Sequence, residues 1–158
     1  MAATLLVLTL PLLAVAIDLH RPTPAHADTI NVTIRIPAQV EPNPCTPGDL
    51  VVLSGQLRIL IVTTADGSGG YHVTQSADEK LAGASLVTKV KYVASKTEQW
   101  DWYTGTPLPV TNTHTIDSEL VSLADTDNFL AHVTLHTTIS ATGDPTVTVD
   151  RVVLECSG

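Results

Sequence analysis

The chain has 158 residues, of which 44% are hydrophobic and 15% are charged, and its 16 acidic and 8 basic residues give a net charge of −8. This composition is typical of a single folded domain and excludes an intrinsically disordered chain. Because the sequence contains no basic cluster, it also argues against nucleic acid and anionic membrane surfaces as partners.

The N-terminal segment has the order of features that defines a secretory signal. Residues 2–17 are apolar with few interruptions, a polar stretch follows, and residues 25–27 provide the small-x-small cleavage pattern Ala-His-Ala. The first basic residue, Arg21, comes after the apolar stretch, where a usual signal has one before it. A membrane anchor is the alternative, but 16 residues with a proline are short for spanning a bilayer. We therefore predict a signal peptide of residues 1–27 and a secreted domain of residues 28–158 that does not insert into membranes.

The first half of this domain has the pattern of β-strands. From Asp28 onward, 43 of 131 residues are Thr, Val or Ile, which fit a pleated strand better than a helix. Residues 30–36 alternate apolar and polar side chains and predict a half-buried strand. Residues 37–48 contain four prolines and predict an irregular connection. Residues 50–64 predict a long strand, in which Gly55 indicates a bend or a bulge.

The second half continues the same pattern. Residues 142–145 (Thr-Gly-Asp-Pro) and 125–128 predict turns, and residues 78–85 give no clear pattern. The further predicted strands begin near Tyr71 and cover residues 86–95, 97–104, 108–123, 128–140 and 146–155. About eight strands with short connections predict an all-β fold, a single antiparallel meander curled into a barrel or a barrel-like sandwich.

The two cysteines, Cys45 and Cys156, lie near the two ends of the mature domain. In an exported protein they are expected to be oxidised, so we predict one disulfide bond between them. The 110 intervening residues form a long loop, for which the chain-entropy treatment gives a stabilisation of at most about 4–5 kcal/mol. Two distant thiols are too few ligands for zinc, and we predict no metal site.

The histidines and the known catalytic motifs give no prediction of catalysis. His132 and His136 lie on the same side of a predicted strand, but about 13 Å apart at 3.3 Å per residue, which is too far to share a metal. The sequence contains no nucleophile-elbow, phosphate-binding, zinc-protease or dinucleotide motif. We therefore predict no catalytic residues and no cofactor.

The aromatic residues are concentrated on one predicted strand. Trp100 and Trp102 share a face with Glu98, and Tyr103 lies on the opposite face. In secreted proteins, aromatic faces often contact sugars or apolar ligands, although tryptophans can equally cover a core. The predicted ligand-binding residues are Trp100, Trp102, Tyr103, Tyr71 and His72.

Several short segments together resemble a known group of proteins. The start motif is the Asn-Pro-Cys segment at residues 43–49, and residues 69–72 (Gly-Gly-Tyr-His) and 128–136 follow it. The end motif is the Glu-Cys pair within residues 149–156. The pattern resembles small exported bacterial proteins, frequent in actinobacteria, that have no assigned function. This resemblance implies secretion and an all-β domain, and it supplies no catalytic residues.

These observations favour a secreted, noncatalytic β-domain that binds a small apolar or sugar ligand or a cell-surface partner. A second hypothesis is a small β-barrel isomerase or hydrolase that uses a histidine, such as His72 or His132, with a nearby acid. A third hypothesis is a structural component of the cell surface or matrix that assembles through its sheet edges.

Overall fold

The computed structural model describes residues 27–105, 108–124 and 127–157. The predicted signal peptide, apart from Ala27, lies outside the described residues, as do two residues of the predicted turn at 125–128. Within the described ranges, no helix is long and apolar enough to cross a membrane.

The described residues form seven antiparallel strands in one meander, so the predicted all-β fold is confirmed. Each strand pairs with the next along the chain, and the last strand returns to contact the first, which makes a nearly closed barrel. The strands are β1 (Ala27–Pro42), β2 (Leu50–Ala65), β3 (Tyr71–Ser85), β4 (Lys91–Thr104), β5 (Val110–Ser122), β6 (Asn128–Ile139) and β7 (Pro145–Ser157).

The structure has one strand where the sequence analysis predicted two. The predicted strands at residues 86–95 and 97–104 are a single strand, β4. Residues 86–90 form the turn between β3 and β4. The predicted strand started too early because the turn contains two apolar residues, Leu86 and Val87, which suggested a buried strand. In the structure both side chains are exposed.

β3 extends through residues 78–85, for which the sequence pattern was unclear. The side chains here alternate regularly, with Glu79 and Leu81 buried and Asp78 and Lys80 exposed. Since one of the buried positions holds a charged residue, the alternation of burial does not appear as an alternation of hydrophobicity.

β1 also extends further than predicted, because the connection predicted at residues 37–48 begins only after Pro42. The pairing of β1 with β2 shifts register between Ile36 and Gln39, directly beside Gly55. β1 is an edge strand of the meander, where a proline such as Pro37 can be accommodated at a bulge. Gly55 itself lies against the backbone carbonyl of Lys80 and the Leu81 side chain, so that a Cβ atom would clash there.

The meander is divided into two sheets of continuous pairing. β1 to β4 pair along nearly their whole lengths, as do β5 to β7. β4 and β5 are joined by two residue pairs, Tyr92 with Ser122 and Val93 with Val121. Beyond these pairs the two strands separate, and the core lies between the two sheets. Its fully buried apolar side chains include Val51, Leu53, Leu57, Ile59, Ile61, Leu120, Phe129, Ala131, Val133, Leu135 and Ile139.

The predicted disulfide bond is present and joins Cys45, in the β1–β2 loop, to Cys156 on β7. At the same end of the barrel, the carboxylate of Asp49 also links separate segments of the chain. Asp49 is only 4% exposed. It accepts hydrogen bonds from the Ser85 hydroxyl at 2.7 Å and the Asn43 amide at 2.9 Å. These bonds lower the pKa of Asp49 and connect the β1–β2 loop to the end of β3.

Candidate functional site

The separation of β4 from β5 creates a cleft between the two sheets. Beside the last residue pair of the ladder, a groove with a cavity volume of about 490 Å³ opens, and Lys96 and Ser118 are among its lining residues. Further polar side chains continue along the separation. We call this region the β4–β5 cleft, and its polar and aromatic members are Glu79, Lys96, Glu98, Trp100, His114 and Ser118.

Side chains connect the two strands where the backbone ladder is absent. The Lys96 ammonium on β4 donates a hydrogen bond to the backbone carbonyl of Asp117 on β5, with an N–O distance of 2.5 Å. Lys96 also forms an ion pair with Glu98 at 3.0 Å. The other carboxylate oxygen of Glu98 lies 2.9 Å from Nε2 of His114 on β5. A charged network thus bridges the separation.

An aromatic stack forms the next bridge along the cleft. The Trp100 and His114 rings lie nearly parallel, with centroids 3.8 Å apart and an interplanar angle of 11°. Strand alternation produces this contact, because Glu98 and Trp100 are two residues apart and point to the same face of β4. His114 therefore lies between an acid and an aromatic ring of the same strand.

Glu79 and Ser118 form the buried part of the cleft. The Glu79 side chain on β3 is fully buried and accepts a hydrogen bond from the Ser118 hydroxyl on β5. Burial raises the pKa of Glu79, and the bond from Ser118 and the charge of Lys96 only partly oppose this shift. The cleft therefore holds a carboxyl group that keeps its proton to a higher pH than an exposed glutamate.

Glu98 has the opposite electrostatic environment. Its partial burial acts to raise the pKa, but the hydrogen bonds and positive charges of Lys96 and His114 outweigh burial, and the pKa is lowered. Glu98 is thus ionised at neutral pH and orients both of its basic neighbours.

Several buried polar atoms of this region have no hydrogen-bond partner. Among the described residues they include Nε2 of Gln75, Oε2 of Glu79, and Nε1 of both Trp100 and Trp102. All four belong to the inner faces of β3 and β4, the two strands that line one side of the cleft. Buried polar groups in folded proteins are nearly always paired, so this concentration of unpaired atoms is unusual, but none of these four residues is among those that line the 490 Å³ groove.

The five residues predicted to bind a ligand lie on two different faces. Trp100 and Trp102 are half-buried on the inner face of β4, as their predicted common face requires. Tyr103 and His72 are on the outer face, where their rings are 5.2 Å apart and the Tyr103 hydroxyl donates to the Asp66 carboxylate. Tyr71 is packed against Gly143 near the β6–β7 turn. The structure therefore places only the tryptophans beside the cleft.

The sequence analysis did not single out most members of the cleft. Glu79, Lys96, Ser118 and His114 were not among the predicted site residues. One sequence signal for Glu79 exists, because Gln75 and Glu79 interrupt an alternation that continues with Val73 and Leu81. Polar residues in the buried register of a strand indicate either a buried network or a site.

The other histidines that the structure describes lie away from the cleft. His132 is on the outer face of β6, where Nδ1 lies 2.7 Å from Asp117 and Nε2 lies 3.1 Å from Glu155. His136 is on the same face, with Nε2 3.7 Å from the Asp150 carboxylate. Among the four histidines in the described ranges, His114 is therefore the one whose ring lies in the cleft.

In comparisons with known proteins, no protein-family model, no curated protein and no solved structure matches the chain. The resemblance to small exported bacterial proteins stays a prediction. The functional argument therefore depends on the geometry and the chemistry of the β4–β5 cleft.

Proposed function

We propose that this protein is an exported, noncatalytic binding domain that holds a small ligand in the β4–β5 cleft. The observation that carries this proposal is the combination of a charged network at the surface of the cleft with buried, unpaired polar atoms behind it. The side chains of Lys96, Glu98 and His114 are 35%, 27% and 25% exposed, so a ligand can reach them without unfolding of the domain.

The dimensions and composition of the cleft support a ligand of small-molecule size. Its groove of about 490 Å³ falls within the roughly 300–1,000 Å³ that is usual for small-molecule sites. Such sites combine an apolar wall with a few fixed polar groups, and here Val93, Ala94 and Val121 supply the apolar wall. Lys96 and Ser118 are among the polar groups that line the same groove.

The disulfide bond supports export as part of the proposal. Disulfides persist in oxidising compartments outside the cytoplasm, and Cys45 and Cys156 form one here. Expression of the full chain with export, followed by intact-mass analysis of the secreted product, tests this part. The expected mass is that of residues 28–158 with one disulfide, and retention of an uncleaved chain in the cytoplasm would contradict it.

Calorimetric titration with a panel of neutral saccharides, uronic acids and fatty acids tests the binding function. The informative variant is Lys96→Met, which keeps the length of the side chain and removes its charge. Lys80→Met, on the exposed face of β3, is the matched control. Hydrogen bonds to charged groups contribute about 1.5–3 kcal/mol, so Lys96→Met is expected to weaken binding roughly 10- to 150-fold. Equal affinities of the two variants, or no binding by any compound, would contradict the proposal.

A second candidate function is acid–base catalysis in the same cleft. The observation that favours it is the opposite displacement of the pKa values of Glu79 and Glu98, an arrangement typical of a proton donor and a proton acceptor. Mass spectrometry of a bound ligand after prolonged incubation separates the two functions. An unchanged ligand supports the binding domain, and conversion that is lost in Glu98→Gln supports the enzyme.

A further inference from the structure

A second groove lies between the first and last strands, at the opposite edges of the two sheets from the β4–β5 cleft. β1 and β7 are the two ends of the meander, and among the described residues no backbone ladder joins them. A groove of about 430 Å³ opens between residues 34–39 of β1 and residues 147–152 of β7, and we call it the β1–β7 groove. Each strand therefore has a free edge along this groove, with backbone N–H and C=O groups available for a further strand.

The number of strands determines how a further strand can fit. Each of the seven strands is antiparallel to the next, so β1 and β7 run in the same direction. An extended segment in the groove can therefore be antiparallel to both of them, as an eighth strand that removes both free edges. At 3.3 Å per residue, residues 147–152 span about 17 Å, which is the length of an extended segment of about six residues.

The inner wall of the groove is apolar and incompletely covered. Ile34 on β1 and Val149 on β7 line the groove and are half-buried. Their direct partners on the neighbouring strands, Leu57 on β2 and Leu135 on β6, are fully buried. Further burial of the apolar surface beside the groove is favourable. Because alternate side chains of an extended segment point to one face, apolar residues at alternate positions would cover this wall.

The outer rim of the groove carries positive charge although the chain is acidic overall. Arg35 and Arg151 are exposed and line the groove, and within the described ranges neither guanidinium forms an ion pair or a side-chain hydrogen bond. Asp150 lines the same groove, and its carboxylate lies 3.7 Å from Nε2 of His136. Two arginines without an acidic partner, in a chain of net charge −8, favour acidic side chains on the outer face of a bound segment.

Each of the two strands has a β-bulge inside the groove. The pairing of β1 shifts between Ile36 and Gln39, and the pairing of β7 shifts around Asp150. Bulges are frequent beside binding sites, and at exposed edges they also oppose indiscriminate strand pairing. Two bulges within one groove therefore favour a specific partner segment over general edge-to-edge association of copies of this chain.

We propose that the β1–β7 groove binds an extended segment of a partner protein in which apolar and acidic residues alternate. The segment lies antiparallel to both strands and forms backbone hydrogen bonds with their free edges. Its apolar side chains cover Ile34 and Val149, and its acidic side chains pair with Arg35 and Arg151. In strand addition of this kind, backbone hydrogen bonds provide affinity and alternate side chains provide specificity. The site is separate from the β4–β5 cleft and does not depend on the proposed small-ligand function.

Fluorescence anisotropy with labelled heptapeptides tests the proposal on the purified, disulfide-bonded protein. The probe alternates valine and glutamate, and a second peptide alternates valine and lysine. Two further peptides carry N-methyl groups on one or the other set of alternate backbone nitrogens of the probe. We expect the probe to bind at least tenfold more tightly than the lysine peptide and than at least one methylated peptide. Equal binding of the lysine peptide, equal binding of both methylated peptides, or no binding of the probe at about 1 mM would overturn the proposal.

The double variant Arg35→Gln/Arg151→Gln tests whether the peptide occupies this groove. The matched control is Arg58→Gln, an exposed arginine of β2 outside the groove. Each exposed ion pair contributes at most about a fivefold change in affinity, so the double variant is expected to weaken binding roughly tenfold, with the control unchanged. Parental affinity in a double variant that is folded by circular dichroism would overturn the proposal.

Hydrogen exchange gives an independent measurement on the parent protein. We expect the bound probe to slow amide exchange in residues 147–152, while residues around Lys96 in the β4–β5 cleft stay unchanged. Peptide binding that is lost in Lys96→Met and kept in the arginine double variant would place the peptide in the cleft and overturn the proposal. Sedimentation that shows a dimer, with the probe excluded and the dimer lost in the double variant, would assign the groove to a second copy and overturn it as well.

Discussion

The indole ring of Trp100 on β4 lies almost parallel to the imidazole ring of His114 on β5, with centroids 3.8 Å apart. These two strands share no backbone pairing at this point, since their ladder consists of the pairs Tyr92–Ser122 and Val93–Val121. Side-chain contacts therefore connect the two sheets along the cleft. Because side chains rearrange more readily than a backbone ladder, this part of the barrel can admit a ligand without loss of strand pairing.

The disulfide bond is expected to contribute substantially to stability. The Cys45–Cys156 bond closes a loop with 110 intervening residues, for which the chain-entropy treatment gives at most about 4–5 kcal/mol. We predict that Cys45→Ala/Cys156→Ala, measured by thermal unfolding, has a Tm lower by several degrees and by at most about 20 °C. The parent protein in a reducing agent should show a comparable decrease, and an unchanged Tm in both experiments would contradict this prediction.

The hydrogen bond between Ser118 and Glu79 is expected to stabilise the buried carboxyl group. Ser118→Ala leaves Glu79 without this donor in the interior, and we predict a loss of about 1–3 kcal/mol in the free energy of unfolding. Ser95→Ala, an exposed serine of β4, is the control and should change stability by less than about 0.5 kcal/mol. Equal stabilities of the two variants in urea unfolding would show that the bond contributes nothing.

The raised pKa of Glu79 predicts a pH dependence of stability. The folded state binds this proton more tightly than the unfolded chain, whose ordinary pKa is 4.5. The stabilising contribution of the proton is therefore complete below pH 4.5 and is lost as the pH rises through the folded-state pKa. Glu79→Gln cannot lose a proton, so its stability relative to the parent should increase between pH 4 and pH 7. A constant difference over this range would contradict the raised pKa.

His132 predicts a second pH dependence, in a higher range. The hydrogen bond that His132 donates to the Asp117 carboxylate raises the pKa of His132 from 6.5, burial partly opposes this shift, and the hydrogen bond to Glu155 adds to it. The stabilisation by protonated His132 is complete below pH 6.5 and is lost as the pH rises through the folded-state pKa. We predict that His132→Gln reduces the decrease of Tm between pH 6 and pH 8, whereas His72→Gln, on the outer face beside Tyr103, leaves it unchanged. Identical pH profiles of parent and His132→Gln would contradict this.

The Asp49 carboxylate is expected to hold two loops in place. Because the pKa of Asp49 is lowered in the folded state, its ionised carboxylate stabilises the fold fully above the ordinary pKa of 3.8. This stabilisation is lost as the pH falls through the lower folded-state pKa. Asp49→Ala should lower the Tm by several degrees at pH 7, because Ser85 and Asn43 lose their common acceptor. Asp101→Ala removes an exposed carboxylate with one threonine donor, and it should have a much smaller effect. A similar Tm for both variants would contradict the role of Asp49.

Much of the fold follows from local alternation in the sequence. The strict pattern of residues 30–36 predicted β1, and the common face of Trp100 and Trp102 predicted their position on β4. The two cysteines allowed a single pairing, which the structure contains. Such features are predictable because each depends on the period of one strand or on a simple count.

The cleft could not be predicted in the same way, because it depends on long-range pairing. Glu98 and His114 meet across two strands that separate after a short ladder, and nothing in either segment specifies where that separation begins. Glu79 also obscured the alternation of β3, so the sequence analysis missed both the end of that strand and the most buried carboxyl group of the cleft. An ionisable side chain is unfavourable in the core-facing register of a strand. A prediction based on hydrophobicity therefore fails at positions such as Glu79, where the cleft has a buried polar residue.

Nuclear magnetic resonance of the two indole N–H groups tests the central claim most directly. The chain has two tryptophans, Trp100 and Trp102, so the indole region of a ¹⁵N-labelled sample contains two assignable signals. Titration with the compound of the calorimetric panel that binds most tightly should shift the Trp100 signal and saturate with a single dissociation constant, while backbone signals around Tyr103 stay in place. Indole signals that do not move, with ligand-induced shifts confined to the outer face around Tyr103 and His72, would contradict binding in the β4–β5 cleft.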